Sequence, residues 1–436
     1  MARPTTHGRA PVPTRLDAEP AVPTVTEWLL LALGILATGA SAVALVRTRR
    51  PALFAIGYFA LGWATGELTF GVFTAEAVAA ATLIALGGMD SSPGPVGLGL
   101  LLASWIGLVV VQRRKRAAGP AIESALIDGL GPSYRAAIPP DRRADLPEDV
   151  DHREPLGNPF RPRDRRVEVV RDLAYGDDPA QRLDVYRHRD HLTGSPVLVH
   201  VHGGAWTTGR KEHGGVPLLE HLASRGWVGV AATHRRSPRV AFPDHLIDVK
   251  RVLAWVQQDG PSFGMDPGFV VLAGQSSGAH LAALAAFSPG DPRYQPGFES
   301  VDTAVAGCVA CYGNYDFCNR FAIRGRTSDM GGFLERYVMQ VSRQEDPTRW
   351  DDASPVARVR ADAPPFLVIH GTHDSLLWVE EARRFVDVLR ATSQSPVTYA
   401  EIPDAQHAFD IFPTLRSLLV VHGMVRWLEH LVATTR

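Results

Sequence analysis

An α/β domain with a doubly wound, mostly parallel sheet is predicted by two observations, and a third places an all-α transmembrane segment of three or four helices before it. Beyond residue 166, short β-branched runs alternate with helical patterns, as expected of parallel strands joined by helices covering both faces of one sheet. Within that alternation Val270–Ala273 runs into Gly-Gln-Ser-Ser-Gly and then into the small apolar residues of Ala279–Ala286, a strand reversing directly into a helix. Ahead of it lie long apolar stretches closed by arginine clusters, the pattern of membrane spans.

The 436 residues exceed one typical domain, and a hydrophobic content of 45% is ample for a large core. A net charge of −1 gives no global attraction for nucleic acid, and no such partner is expected. Cys308, Cys311 and Cys318 are too few and too local for a disulfide framework. The Cys308-x-x-Cys311 spacing suits a metal or redox pair, but no second pair exists and both residues fall in an apolar strand pattern. No metal or organic cofactor is expected.

Residues 1–25, rich in Pro, Thr and Arg, are expected to form a disordered arm. Residues 26–112 are read as the transmembrane region. Trp28–Val46 has the length of a bilayer span and is followed by Arg47, Arg49 and Arg50. A cleavable signal peptide is the competing reading, opposed by the arm before it and the apolar segments after it. Leu53–Phe73 is the second candidate span, and Val96–Val111, closed by Arg113, Arg114, Lys115 and Arg116, is a further one. Between them Ala75–Gly88 is apolar but short, either a tilted span that brings the count to four or part of a re-entrant hairpin that leaves three. Gly62-x-x-x-Gly66 allows close helix contact, although the pattern recurs by chance in such segments. Glu67 and Glu76 are costly in hydrocarbon and are expected to face protein, a cavity or the interface, in structural pairing or in a transport or ligand role. Over 113–165 repeated prolines predict a linker with a short helix at most.

The domain over 166–436 carries strand patterns at 167–170, 183–186, 197–201, 228–232, 270–273, 304–309, 366–369 and 397–402. Helical patterns fall at 217–223, 246–257, 279–286, 379–389 and 415–432. The first two strands have no helix between them, which predicts an antiparallel start.

Gly274 and Gly278 flank Ser276 where side chains would collide, so the turn is a nucleophile elbow that presents Ser276 Oγ at the carboxyl edge of the sheet. The alternative is an inert glycine-rich turn. The N–H of Ser277 then lies at the positive end of the helix. Val201 leads into His202-Gly203-Gly204-Ala205-Trp206, a nearly bare backbone able to approach a reacting oxygen. Gly203, Gly204 and Ala205 are candidate oxyanion donors beside Ser277. His202 is expected to brace this loop, and Trp206 to line a substrate wall.

A serine nucleophile needs a base, and the base a carboxylate. Phe366–Ile369 ends in His370-Gly-Thr-His373-Asp374, and Val397–Ile402 leads to Asp404-Ala-Gln-His407. Asp374 and His407 therefore sit in loops at strand carboxyl ends, on the edge that carries Ser276. His280, His370 and His373 are read as structural, and Asp404 is the alternative acid.

With these residues named, HGGAW, GQSSGAH, HGTHD and the late histidine together resemble the α/β-hydrolase superfamily, nearest to hormone-sensitive-lipase-like and related carboxylesterases. The resemblance covers Val167 to the C-terminus. It implies Ser276 as nucleophile, Asp374 as acid, His407 as base and the 202–206 loop as oxyanion hole. Ala205 in place of the third glycine of the commoner HGGG leaves the subfamily open. The membrane block lies outside that core pattern and resembles some actinobacterial membrane-attached esterases.

The expectation is a membrane-anchored serine hydrolase that cleaves short- to medium-chain or lipid-like carboxylic esters through an acyl-enzyme. Its partners are the ester and the bilayer, and its oligomeric state is left open. Peptidase or amidase action with the same triad is the alternative within enzymes, and a non-catalytic membrane sensor or scaffold the alternative outside them. The segment 312–352, with Tyr315, Phe317, Phe321, Phe333 and Tyr337, is read either as a cap over the site or as an insertion packed on the core. With three spans or four, seven of the ten positive charges flanking the spans fall on the side of the catalytic domain. An integral protein of the cell membrane with a cytoplasmic catalytic domain follows.

Overall fold

The computed structural model describes residues 23–47, 52–144, 146, 164–325 and 330–436. All but the last three residues of the expected arm lie outside them, as does much of the later part of the expected linker.

The apolar block comprises α1 (Val25–Leu45), α2 (Ala52–Glu67), α3 (Thr69–Ala85) and α4 (Pro93–Arg114). Helices α1 and α4 run parallel and in contact. Thr38 Oγ1 donates to the Leu100 carbonyl at 2.8 Å, and one step along both helices the Ser41 and Ser104 hydroxyls lie 2.9 Å apart. Their backbones meet at Gly34 and Gly97, where a Cβ on Gly97 would stand 2.5 Å from the Leu30 carbonyl oxygen. Small residues at this crossing are a steric requirement. The tight contact therefore falls here rather than at the Gly62-x-x-x-Gly66 pattern, whose Gly66 has no neighbour within 4 Å of a built Cβ.

Among the described residues two helices are long and apolar enough to cross a bilayer, α1 and the rod 93–130, each containing an 18-residue stretch of mean hydropathy 2.1. A third span exists if α2 and α3, bent by 93° at their junction, count as one broken span. The single span expected over 53–73 is thus corrected. Thr69 Oγ1 bonds back to the Thr65 and Gly66 carbonyls at 3.1 and 3.3 Å, a pattern that bends helices. Glu67 meanwhile turns out of the block to pair with Arg416 and to accept from Thr414 Oγ1. Glu76 also faces protein, accepting from Trp105 Nε1 at 3.1 Å.

The expected linker also differs. A 3₁₀ turn at Lys115–Ala117 carries α4 directly into α5 (Ala118–Leu130). Helix α5 forms because Ala118, Ile122, Ala125 and Leu126 make one apolar stripe, which is buried. Two short helices, α6 (Tyr134–Ala137) and α7 (Pro140–Ala144), follow.

Eight strands form one sheet in the order β1-β2-β4-β3-β5-β6-β7-β8. They are β1 (Val167–Ala174), β2 (Arg182–His188), β3 (Ser195–Val201), β4 (Val228–Thr233), β5 (Met265–Gln275), β6 (Gly307–Cys311), β7 (Phe366–Gly371) and β8 (Val397–Ile402). The β1/β2 and β2/β4 pairs are antiparallel and all later pairs parallel, as the helix-free start predicts. The central strand β3 is buried at every position, in keeping with helices on both faces. One face is covered by α9 (Asp244–Gln258), α10 (Ser277–Ala286) and α13 (Val379–Thr392). The other is covered by α8 (Val216–Ala223), α14 (Leu415–Thr435) and α5. The rod that starts in the apolar block therefore ends as part of the second core.

The segment 312–352 contains α11 (Met330–Phe333), a π-helical turn at Leu334–Met339 and α12 (Pro347–Asp352). Of the two readings, Tyr315 and Phe317 follow the insertion packed on the core, whereas Phe321 is exposed. Tyr315 stacks on Phe385 at 4.1 Å and Phe317 on His280 at 4.4 Å. Burial of those rings is worth more than leaving them over an open site.

Candidate active site

Ser276 closes β5 at the turn into α10 with φ 54° and ψ −120°. That left-handed strain persists because the surroundings fix it. Its N–H donates to the Cys311 carbonyl at 2.9 Å. A Cβ on Gly278 would stand 2.1 Å from the Val201 carbonyl oxygen, and one on Gly274 2.3 Å from that of Gly278. Both glycines are thus required by close backbone approach.

Three strand-end loops converge on this turn. His407 Nε2 lies 2.8 Å from Ser276 Oγ, and its Nδ1 lies 2.7 Å from Asp374 Oδ2. Asp374 Oδ1 accepts the N–H groups of Leu376 and Leu377 at 2.9 and 2.8 Å. Burial alone would push the Asp374 carboxyl up. The imidazoles of His407 and His370 outweigh it and hold the carboxyl well below its usual range.

Other histidines have separate partners. His280 receives the Trp206 indole N–H at Nδ1, at 3.2 Å, and its Nε2 donates to the Ala353 carbonyl at 2.8 Å. Burial pulls it down to about 3, so it is neutral at pH 7. His202 braces the loop through the Gly203 carbonyl, 2.7 Å away, and stacks on His234. His370 Nε2 donates to the Leu377 carbonyl at 2.7 Å and stands 3.2 Å from Asp374 Oδ2. His373 pairs with Asp404 at 3.2 Å. The alternative acid Asp404 is therefore directed at His373 and Arg114, not at His407.

The loop 203–206 passes beside the elbow, where a Cβ on Gly203 would stand 3.1 Å from Ser276 Cβ. Ala205 and Trp206 take φ 51° and 60°. Among the described residues no acceptor takes the N–H groups of Gly204, Ala205 or Ser277. Trp206 is only 3% exposed and sits edge-on to Phe317 and His280. The aromatic surfaces standing at the imidazole are instead Tyr312, at 4.8 Å, and Phe59, at 6.0 Å.

Sequence reasoning missed several residues that hold the site. Gln406 Oε1 accepts from the N–H groups of Ser375 and His407 at 2.7 and 2.9 Å, tying the acid loop to the base loop. Asp410 accepts from Gln275 Nε2 at 2.6 Å and from the Tyr312 hydroxyl. Burial pushes its carboxyl up. Only the nearness of Gln406 and Asp410 to His407 signalled either. Cys308 and Cys311 lie buried in β6, and no cluster of three or more metal-ligating side chains occurs among the described residues.

A serine, a histidine and a carboxylate linked on a strained elbow of a mostly parallel sheet define the class of α/β-hydrolase esterases. The comparisons agree. The family model described as BD-FAE matches residues 183–389. The Mycobacterium tuberculosis protein named "Probable carboxylic ester hydrolase LipM" is 42% identical over 352 residues, covering 76% of this chain and 77% of that one. Esterase LipQ of the same organism is 36% identical over 380 residues, with 85% and 83% covered. A Thermogutta terrifontis esterase, Est2, shares the fold with a TM-score of 0.52 at 23% identity, over 62% of this chain and 95% of that one. The chain belongs to the family of carboxylic ester hydrolases that includes LipM and LipQ, and it is an enzyme of that kind.

Proposed function

We propose that this carboxylic ester hydrolase is anchored in the cell membrane and works through an acyl-enzyme on Ser276. The observation that carries the reading is the unbroken chain from Ser276 Oγ through His407 to Asp374, at 2.8 and 2.7 Å. His407 Nε2 takes the hydroxyl proton as Oγ attacks the ester carbonyl carbon. The tetrahedral oxyanion is met by N–H groups from Gly203, Gly204 or Ala205 and from Ser277, each worth about 3 kcal/mol in a dry site. The C–O bond to the alcohol breaks, His407 returns the proton to the departing alkoxide, and the acyl group stays on Oγ. Water then repeats the sequence and releases the acid and the free serine. Asp374 holds the imidazole tautomer and stabilises its cation.

The parallel course of α1 and α4 supports a three-span reading, α1, the bent pair and α4, in a membrane region over 26–112. The catalytic unit over 166–436 is extended by α5. The ends of α1 and α4 that carry Arg47 and Arg114 both reach that unit, at Glu380 and Asp404. Arginine clusters favour the cytoplasmic side, so the catalytic unit is assigned there. Short- to medium-chain esters are the proposed substrates.

An acyl-enzyme predicts a shared intermediate. Esters of one acid with different leaving alcohols, hydrolysed with methanol as second acceptor, should yield one constant ratio of methyl ester to free acid. A ratio that changes with the leaving group contradicts the mechanism.

A further inference from the structure

Helix α2 belongs by composition to the apolar block, yet it lies against the loop that carries His407. The Trp63 indole N–H donates to the carbonyl of Ala408, next to the base, at 2.8 Å. Its ring also meets Phe412 at 5.6 Å. A Cβ on Gly62 would stand 3.5 Å from Gln406 Nε2, the side chain that ties the two catalytic loops. One turn earlier on the same face Phe59 presents its ring to His407, with centroids 6.0 Å apart and planes at 75°.

Beyond Trp63 the buried pair of Glu67 with Arg416 fastens the helix end to α14, and Lys115 Nζ donates to the Glu67 carbonyl at 3.0 Å. The side of α2 away from the site is apolar and open at Leu61, 44% exposed, and the flank before Phe59 is open at Ile56, 74% exposed. The helix thus has one face on the catalytic histidine and another suited to hydrocarbon. The 93° bend after it turns α3 away from α2, which stays against the His407 loop.

We propose that α2 is part of the active site. Phe59, held in place by Trp63, forms the wall that receives the apolar chain of an uncharged, membrane-dissolved carboxylic ester, which reaches Ser276 from the bilayer along this helix. Phe59 and Trp63 then determine specificity for chain length, and the apolar block is more than an anchor. The inference deepens the serine-esterase reading and rests on it.

The test uses the full chain in lipid nanodiscs, with p-nitrophenyl octanoate and p-nitrophenyl acetate as probes and fluorophosphonate labelling of Ser276 in parallel. Phe59→Ala should lower the octanoate-to-acetate ratio of kcat/KM by about tenfold or more, mainly through the octanoate KM. Phe59→Leu, which keeps an apolar wall, should restore most of it. Leu61→Ala, on the outward side, should leave the ratio unchanged. An unaltered ratio in Phe59→Ala with Ser276 still labelled overturns the proposal and leaves the serine reading standing. Equal losses in Phe59→Ala and Leu61→Ala, the mark of general loosening, overturn it too. Failure of the wild-type chain to label at Ser276 defeats the serine reading and this inference with it.

Discussion

His407 has its Nδ1 committed to Asp374 and its Nε2 facing Ser276 Oγ, so loss of any one of the three breaks a single proton path. Ser276→Ala should lower kcat by on the order of 10³-fold or more, and Asp374→Asn, which no longer selects the reactive tautomer, by a similar factor. Both are read with a soluble ester on purified enzyme. The depressed Asp374 carboxyl also makes a stability prediction. A group whose folded value is lowered stabilises the fold above its unfolded value, about 4 for Asp, and loses that contribution as pH falls towards the folded one. Thermal midpoints followed downward from about pH 4 should fall more steeply in wild type than in Asp374→Asn, and parallel slopes would contradict the pairing. At this scale Ser276, Asp374 and His407 were legible because each follows an apolar strand. Gln406, Tyr312 and Asp410 were not, because their partners come from strands far apart in sequence. The bond of the Trp206 indole to His280 was hidden for a related reason, since that partner lies on another element.

The β5–α10 turn and the α2–α14 attachment each offer a substitution whose cost follows from a named contact. Gly278→Ala would drive a methyl into the Val201 carbonyl, a backbone atom that cannot move aside. It should lower the thermal midpoint by about 3–10 °C, as overpacking costs about 1–3 kcal/mol. Arg416→Met would leave the Glu67 carboxylate buried without its cation, at a cost of about 3–5 kcal/mol, whereas the double variant Glu67→Gln/Arg416→Met should recover much of the loss. Midpoints of the three proteins in one detergent decide this, and additive losses would argue against the pair. Strands were easy to read because β-branched runs flanked by turn residues keep their period. Helix α5 was hidden among prolines and glycines, and its apolar stripe acquires meaning only against α14 and β8. The break at Leu68 was hidden in part the same way: besides the local Thr69 bonds, Glu67 there pairs with an arginine 349 residues away, a contact with no local signature.

At the scale of the whole molecule the rod that begins in the apolar block joins the second core of the catalytic domain through α5, and α2 lies against the loop that carries His407. The block should therefore not be removable without loss: a chain beginning near residue 164 would expose the faces that α5 and α2 cover, and should be recovered mainly as aggregate on size-exclusion chromatography. Topology is open to a separate check. With a C-terminal tag on the chain, protease added to spheroplasts should spare the tag until lysis, whereas digestion of intact cells would place the catalytic unit outside. The claim on which everything else depends is that Ser276 is the activated nucleophile, and covalent labelling tests it most directly. The full chain treated with a fluorophosphonate and digested should carry one equivalent of adduct on the peptide containing Ser276, with His407→Ala labelled far more slowly and Ser276→Ala not at all. An unlabelled wild-type chain that still hydrolyses ester, or an adduct on another residue that persists in Ser276→Ala, would contradict the account.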